Sequence, residues 1–185
     1  MGGVYCLCMT KYDGEPARQA TAEEAKALAH PVRIRILQVL RGQSKTNKEI
    51  AEALGTTPGA TLHHINLLAE QGFVEAQGER TGRRGAREVP YSATGKTTIL
   101  SFQDNTPTAL NVRSAILQSA LDSYAGAPDV DRFGETSITL HLTPERLNEF
   151  RQKLQDLVAE YKNDAAVQSS TKYGFFGAGY RHKQQ

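Results

Sequence analysis

The segment TNKEIAEALGTTPGATLHHINLLAEQG, residues 46–72, decides the fold because it carries the signals for two short helices joined by a tight turn. Thr46 and Glu49 have the spacing of a capping box, in which each side chain accepts a hydrogen bond from the other residue's backbone N–H. Gly55 is placed to end the first helix, since glycine adopts positive φ without strain. Thr57 suits the N-cap of the second helix, and Pro58 at its first position gives up no hydrogen bond.

The second helix is predicted to have one buried face and to end at Gly72. Helical spacing directs four residues toward the first helix: Thr61, Ile65, Leu68 and Ala69. Two helices joined by a short turn that contains glycine are typical of the motif that sets its second helix in a DNA major groove. An ordinary helical hairpin is the alternative, because short helix pairs are common.

The opposite face of the second helix holds small and polar residues. His63 and Asn66 can reach a base or a phosphate, and Leu62 can touch a thymine methyl group. We therefore predict that the turn and this outward face contact DNA, at Thr56, Thr57, Gly59, Ala60, Leu62, His63 and Asn66. His64 turns toward the core and is interpreted as a structural residue.

Two further helices are predicted before this pair. Thr21 and Glu24 form a second capping-box pattern. Pro31 starts the next helix and requires His30 to be extended or in a turn. The apolar residues of the helix that begins at Pro31, within residues 31–42, are predicted to form a platform under the helix-turn-helix.

A hairpin is predicted after Gly72, where FVEAQGE and EVPYSATG have the alternation of strands and flank RTGRRGAR. Guanidinium groups are suited to bidentate phosphate contact or to a narrow minor groove. A solvated charged loop is the alternative. As a wing beside a recognition helix, the loop is predicted to contact DNA through its arginines, Arg80, Arg83, Arg84 and Arg87.

Residues 27–95 resemble the ArsR-type winged helix-turn-helix regulators. The resemblance lies in ALAHPVRIRILQVL, in IAEALGTTPGATLHHINLLAEQGFVEA and in RRGAREVPYSATG. It implies a homodimeric DNA-binding repressor, of the kind often released by a small-molecule effector, and leaves that effector unspecified. Metal sensing does not carry over. Where metal-sensing members have a Cys-x-Cys cluster, this chain has Ile50-Ala51-Glu52-Ala53, and residues 107–124 contain no histidine.

Residues 107–124, PTALNVRSAILQSALDSY, are predicted to form an amphipathic helix. Its apolar stripe needs a cover, and a second subunit related by a two-fold axis is the economical choice. The predicted dimer interface comprises Leu110, Ile116, Leu117, Leu121 and Tyr124. The alternative is that the stripe packs on its own domain.

The C-terminal region is predicted to contain a strand, a long helix and a second strand. ETSITLHL alternates like a strand, and Thr143 and Pro144 start a helix with apolar residues at Leu147, Phe150, Leu154, Leu157 and Tyr161. This seam is too short for a convincing coiled coil, so we expect the helix to pack on a sheet. Strands 135–142 and 172–180 would make a βαβ unit with right-handed crossover.

Composition and charge bound the function. Residues 21–100 carry 11 Lys and Arg against 8 Asp and Glu, a net +3, whereas residues 101–170 carry 6 against 10, a net −4. Only the basic half is expected to face a polyanion. No phosphate-binding loop, nucleophile elbow or metal-ligand cluster is present, so we predict neither an enzyme nor a cofactor. A winged helix that binds another protein is the alternative.

Three regions follow from these patterns. Residues 1–20 are predicted to be a flexible arm, 21–100 a winged helix-turn-helix domain, and 101–185 a region for dimerisation that is also a candidate effector region; the predicted fold class is α+β, mainly α. Cys6 and Cys8 suit a reducing cytosol as ordinary thiols, with a metal- or redox-responsive pair as the alternative. Without an apolar run long enough to cross a membrane or a secretory signal, we expect a cytoplasmic protein.

Overall fold

The protein is described by a computed structural model over residues 18–81, 85, 87–102, 106–128, 132, 134–162 and 174–180. It divides into two units at Ala127. In the first unit the helices are α1 (Ala22–Leu28), α2 (Pro31–Val39), α3 (Asn47–Leu54), α4 (Pro58–Glu70) and α5 (Pro107–Ala125). The second unit contains α6 (Pro144–Lys162).

Short strands complete the first unit. They are β1 (Arg18–Gln19), β2 (Lys45–Thr46), β3 (Val74–Ala76), β4 (Arg80–Thr81), β5 (Arg87–Glu88), β6 (Pro90–Ala93) and β7 (Leu100–Ser101), with a 3-10 helix at Lys96–Ile99. β6 lies between β2 and β3 in an antiparallel sheet. β4 and β5 pair as a separate antiparallel ladder, with Arg80 opposite Glu88. The fold is mainly α, with the sheet and wing of a winged helix-turn-helix.

The ends of α3 and α4 confirm the predicted caps. Thr46 and Glu49 form both hydrogen bonds of the capping box, and Gly55 ends α3 at φ 66°. Thr57 caps α4 by accepting from the backbone N–H of Ala60, and Pro58 opens the helix. These local signals succeed because each satisfies backbone groups that a helix end leaves without partners.

One core holds the first unit together. Its fully buried large side chains come from five elements and from the loop before β3: Leu28, Ile36, Leu40, Ile50, Ile65, Leu68, Phe73 and Val112. α5 packs on α1 and α2, so it belongs to the same core as the helix-turn-helix. Burial of each such side chain contributes about 1.5–3 kcal/mol of transfer free energy.

The limits of the first unit differ from the predicted ones at both ends. The predicted boundary after residue 100 is moved to Ala127, because one face of α5 is needed to close the core. At the other end, residues 18–20 are not part of a loose arm. β1 pairs in parallel with β7, and the N–H of Ala20 donates to the carbonyl of Ser101 at 3.1 Å. Cys6 and Cys8 lie outside the described residues.

In the second unit the long helix is confirmed and the two predicted strands are wrong. α6 begins after Thr143, whose hydroxyl accepts from the N–H of Arg146. Residues 134–143 and 174–180 form no strand in the described part of the chain. A strand requires a hydrogen-bonded partner, and glycines 174, 177 and 179 interrupt the second segment. Lys172 and Tyr173 lie outside the described residues.

Candidate nucleic-acid interface

α4 presents one buried and one exposed face. Thr61, Ile65 and Leu68 are buried as predicted, whereas Ala69 is exposed, which corrects its assignment to the packed face. The residues predicted to contact DNA are all exposed: Thr56, Thr57, Gly59, Ala60, Leu62, His63 and Asn66. The structure therefore leaves one continuous side of the turn and helix open to solvent.

A polar contact that the sequence did not indicate fixes α4 against α3. The Thr61 hydroxyl lies fully buried and donates to Asn47 Oδ1 at 2.6 Å. Asn47 Nδ2 in turn donates to the carbonyl of Pro58 at 2.8 Å. Buried hydroxyl groups cost free energy unless they are hydrogen-bonded, so this pair, together with buried Ile65 and Leu68, fixes which side of α4 faces outward.

The base of the wing is anchored by ion pairs. Arg80 Nη2 lies 2.8 Å from Glu49 Oε1, and Arg80 Nε lies 3.3 Å from Glu88 Oε2. Glu49 completes the capping box of α3, so one carboxylate joins the first helix of the motif to the wing. The backbone hydrogen bond from Thr46 lowers the pKa of Glu49, and Arg80 lowers it further.

This anchor bears on the role predicted for Arg80. Its guanidinium pairs with two carboxylates, which position the wing, and its contact with DNA stays a prediction. Arg87 is 86% exposed, with a longer contact of 3.5 Å to Glu79. Arg83 and Arg84 lie outside the described residues, and their DNA contacts stay predictions.

His64 is half-buried behind the outward face, consistent with the structural interpretation of this residue. Its ring centroid lies 4.7 Å from that of His30, whose Nδ1 caps α2 by accepting from the N–H of Val32. Within the described residues, His64 Nδ1 is buried and has no hydrogen-bond partner. Burial lowers the pKa of His64, and the positive charges of nearby residues lower it further.

A second network, which the sequence did not indicate, ties the end of α4 to α1. The Glu24 carboxylate is buried and bonds to Arg18 at 2.5 Å and to Lys96 at 2.8 Å. Lys96 Nζ also donates to the carbonyl of Gln71, which caps the C-terminus of α4. The hydrogen bonds from Arg18 hold the pKa of Glu24 far below its usual range.

α5 has an exposed apolar stripe in addition to its buried face. Leu110, Leu117, Leu121 and Tyr124 are 47%, 38%, 57% and 39% exposed. Ile116, which was predicted to share this interface, is buried in the core of its own unit at 9% exposure. The correction follows from the helical period, since Ile116 shares a face with the buried Val112 and Ser119.

Residues 28–77 match the protein-family model described as "Helix-turn-helix domain". The matched segment runs from the end of α1 through α4 and β3, which covers the motif and its platform. No curated protein matches the chain.

Solved structures that match part of this chain include two transcription regulators. The transcriptional repressor BigR from Xylella fastidiosa is 21% identical, with a TM-score of 0.32, over 52% of this chain and 80% of its own. ZitR from Lactococcus lactis, described as a zinc-responsive MarR family member, is 21% identical, with a TM-score of 0.30. The match covers 80% of this chain and 83% of the ZitR chain. The structure of ZitR in complex with DNA matches with a TM-score of 0.28 at 21% identity, and the match covers 80% of this chain and 79% of the ZitR chain. Similarities this distant carry no argument about this chain.

The described residues lack two kinds of feature. No helix there is long and apolar enough to cross a membrane. The same residues contain no group of three or more histidine, cysteine or acidic side chains placed to hold a metal ion.

Proposed function

We propose that the protein is a sequence-specific DNA-binding transcription regulator, an ArsR-type repressor that acts as a homodimer on a near-palindromic operator. α4 is the recognition helix. The wing contacts the DNA backbone through Arg83, Arg84 and Arg87. The observation that carries the proposal is the exposed side of α4, which lies beside an anchored wing in a helix-turn-helix domain.

The side chains on this side of α4 have the chemistry of base readout. His63 and Asn66 supply hydrogen-bonding groups, and exposed Leu62 supplies an apolar surface for a thymine methyl group. Gly59 and Ala60 have small or no side chains, and a Cβ added at Gly59 would meet no atom of the protein within 4 Å. The helix can therefore approach the groove closely at its N-terminal end.

The exposed stripe on α5 supports the dimer. Leucine side chains at three positions on one side of a well-packed helix form an apolar patch, which suits a protein–protein contact. Because the opposite face of α5 packs on α1 and α2, a two-fold contact through the stripe would hold two helix-turn-helix domains in a fixed geometry.

A small-molecule effector lacks comparable support. Two clefts in the described residues of the first unit measure about 220 and 200 Å³. Pockets for drug-sized ligands are commonly about 300–1,000 Å³. The function proposed here is therefore DNA binding without a named effector.

Fluorescence anisotropy with labelled genomic fragments tests the proposal. The measurements are made at about 50 and 200 mM salt, a range over which proteins that bind DNA phosphates lose much of their affinity. We expect binding that weakens steeply as salt rises, because phosphate contacts release counterions. Absence of DNA binding at low salt would contradict it and would favour the alternative of a protein-interaction module.

A further inference from the structure

The arginines of α2 differ in what they contact. Arg33 is occupied, because its guanidinium donates to the carbonyls of Ala27 and, at 2.8 Å, Lys26 at the end of α1. Arg35 is half-buried, and no hydrogen bond or ion pair joins it to any described residue. A guanidinium without a protein partner is available to accept an anion such as a phosphate.

Arg35 lines a cleft between α2 and the helix-turn-helix. The cleft holds about 220 Å³, and its lining includes Thr56 and Ala60 from the side proposed to meet DNA. The other lining residues are Val32, Leu54, Thr61 and His64, so none of the lining residues is acidic. An anion entering from the DNA side would meet a positive charge without opposition.

The volume and composition suit a phosphate group. A water molecule occupies about 30 Å³ in the liquid, so the cleft has room for a phosphate and several waters. The Thr56 hydroxyl is exposed and can donate to a phosphate oxygen. In helix-turn-helix complexes the first helix of the motif crosses the DNA backbone. That helix is α3, whose last residue, Leu54, lines the cleft together with Arg35, so we expect the cleft to face a phosphate.

We infer that Arg35 and Thr56 form a binding cleft for a DNA backbone phosphate, with Arg35 as a DNA-contacting residue outside the recognition helix and the wing. The inference rests on the proposed DNA binding. The sequence did not indicate it, because Arg35 lies within an apolar helix whose other arginine, Arg33, is structural.

Salt-dependent anisotropy tests this cleft. It compares Arg35→Gln, Arg35→Lys and wild-type protein on one bound fragment and on random DNA. Loss of one phosphate contact should lower affinity by about tenfold and reduce the salt slope by about one. We expect both changes in Arg35→Gln, on specific and random DNA alike. Arg35→Lys should keep the slope, since it keeps the charge, and should lose part of the affinity because it loses the bidentate geometry.

Arg41→Gln is the matched control, because Arg41 lies just after α2, carries the same charge and is exposed outside the cleft. It should leave affinity nearly unchanged. Equal losses in Arg35→Gln and Arg41→Gln would show a long-range charge effect and overturn the inference.

Two further outcomes would overturn the assignment of Arg35 as a phosphate contact. Unchanged affinity and slope in Arg35→Gln, with a wild type that binds DNA, would refute the cleft while leaving the proposed function intact. A lower melting temperature in Arg35→Gln and Arg35→Lys together, with parallel losses of binding, would assign Arg35 a structural role and likewise overturn the inference.

Discussion

His63 is the exposed side chain best placed to separate specificity from affinity. Base contacts specify a sequence, whereas phosphate contacts mainly position the protein. We expect His63→Ala to reduce the preference for the operator over random DNA by about tenfold, since a good base contact contributes about 1–3 kcal/mol of discrimination. Affinity for random DNA and the melting temperature should barely change, because the side chain is exposed.

Operator and random-DNA affinities, measured beside the melting temperature, check this prediction. If His63 supported the fold instead, the melting temperature and both affinities would fall together. A stable His63→Ala protein with intact specificity would show that this side of α4 does not contact bases.

Arg80 should behave differently from Arg87 although both lie in the wing. Arg80 is held by Glu49 and Glu88, whereas Arg87 is 86% exposed. Partly exposed ion pairs contribute about 0–1 kcal/mol, so Arg80→Ala should lower DNA affinity by at most about fivefold. Its salt slope should stay unchanged because no phosphate contact is lost.

Arg87→Ala provides the comparison, and its salt slope should decrease by about one if this side chain meets a phosphate. Anisotropy titrations at several salt concentrations measure both slopes. If the salt slope of Arg80→Ala decreased as much as that of Arg87→Ala, Arg80 would be a direct DNA contact.

The remaining two arginines of the wing, Arg83 and Arg84, are also predicted to contact DNA phosphates. Arg83 and Arg84 are adjacent and are flanked by Gly82 and Gly85, and Gly85 adopts φ 75°, a conformation that other residues rarely adopt. Replacing both arginines by alanine should weaken binding to every sequence alike and reduce the salt slope by about two. Binding titrations that showed unchanged affinity and slope in the double variant would contradict the wing assignment.

The local signals in the sequence were sufficient for α3, α4 and the hairpin. Capping boxes, a proline at the first helical position and glycine after the last turn are read within a few residues, so tertiary packing rarely overrides them. The contacts that orient the site could not be obtained in this way. Arg80 and Glu49 are 31 residues apart, and Thr61 and Asn47 are 14 apart.

The C-terminal region shows a second limit. Apolar alternation in residues 135–142 predicted a strand, but alternation cannot say whether a partner strand exists. On α5, the sequence identified a stripe correctly except at Ile116, because two apolar faces share the helix and only packing distinguishes them.

The proposed two-fold dimer would determine how the entire molecule binds DNA. Changing both Leu117 and Leu121 to glutamate would place charges in the proposed dimer contact. Burying these charges on dimerisation would cost more free energy than leaving the stripe exposed to water in a monomer. We expect this variant to be a folded monomer with much weaker operator binding, because α5 retains its buried face. Light scattering beside circular dichroism measures both properties. A wild-type protein that is a well-folded monomer at micromolar concentration would rule the dimer out.

Footprinting of the full-length protein on DNA selected from genomic fragments tests the proposed mode of binding most directly. Two recognition helices related by a two-fold axis should protect two half-sites of a near-palindrome, with centres about 34 Å apart on one side of the duplex. Failure to enrich any fragment over random DNA, or protection of a single site without a symmetric partner, would contradict the account.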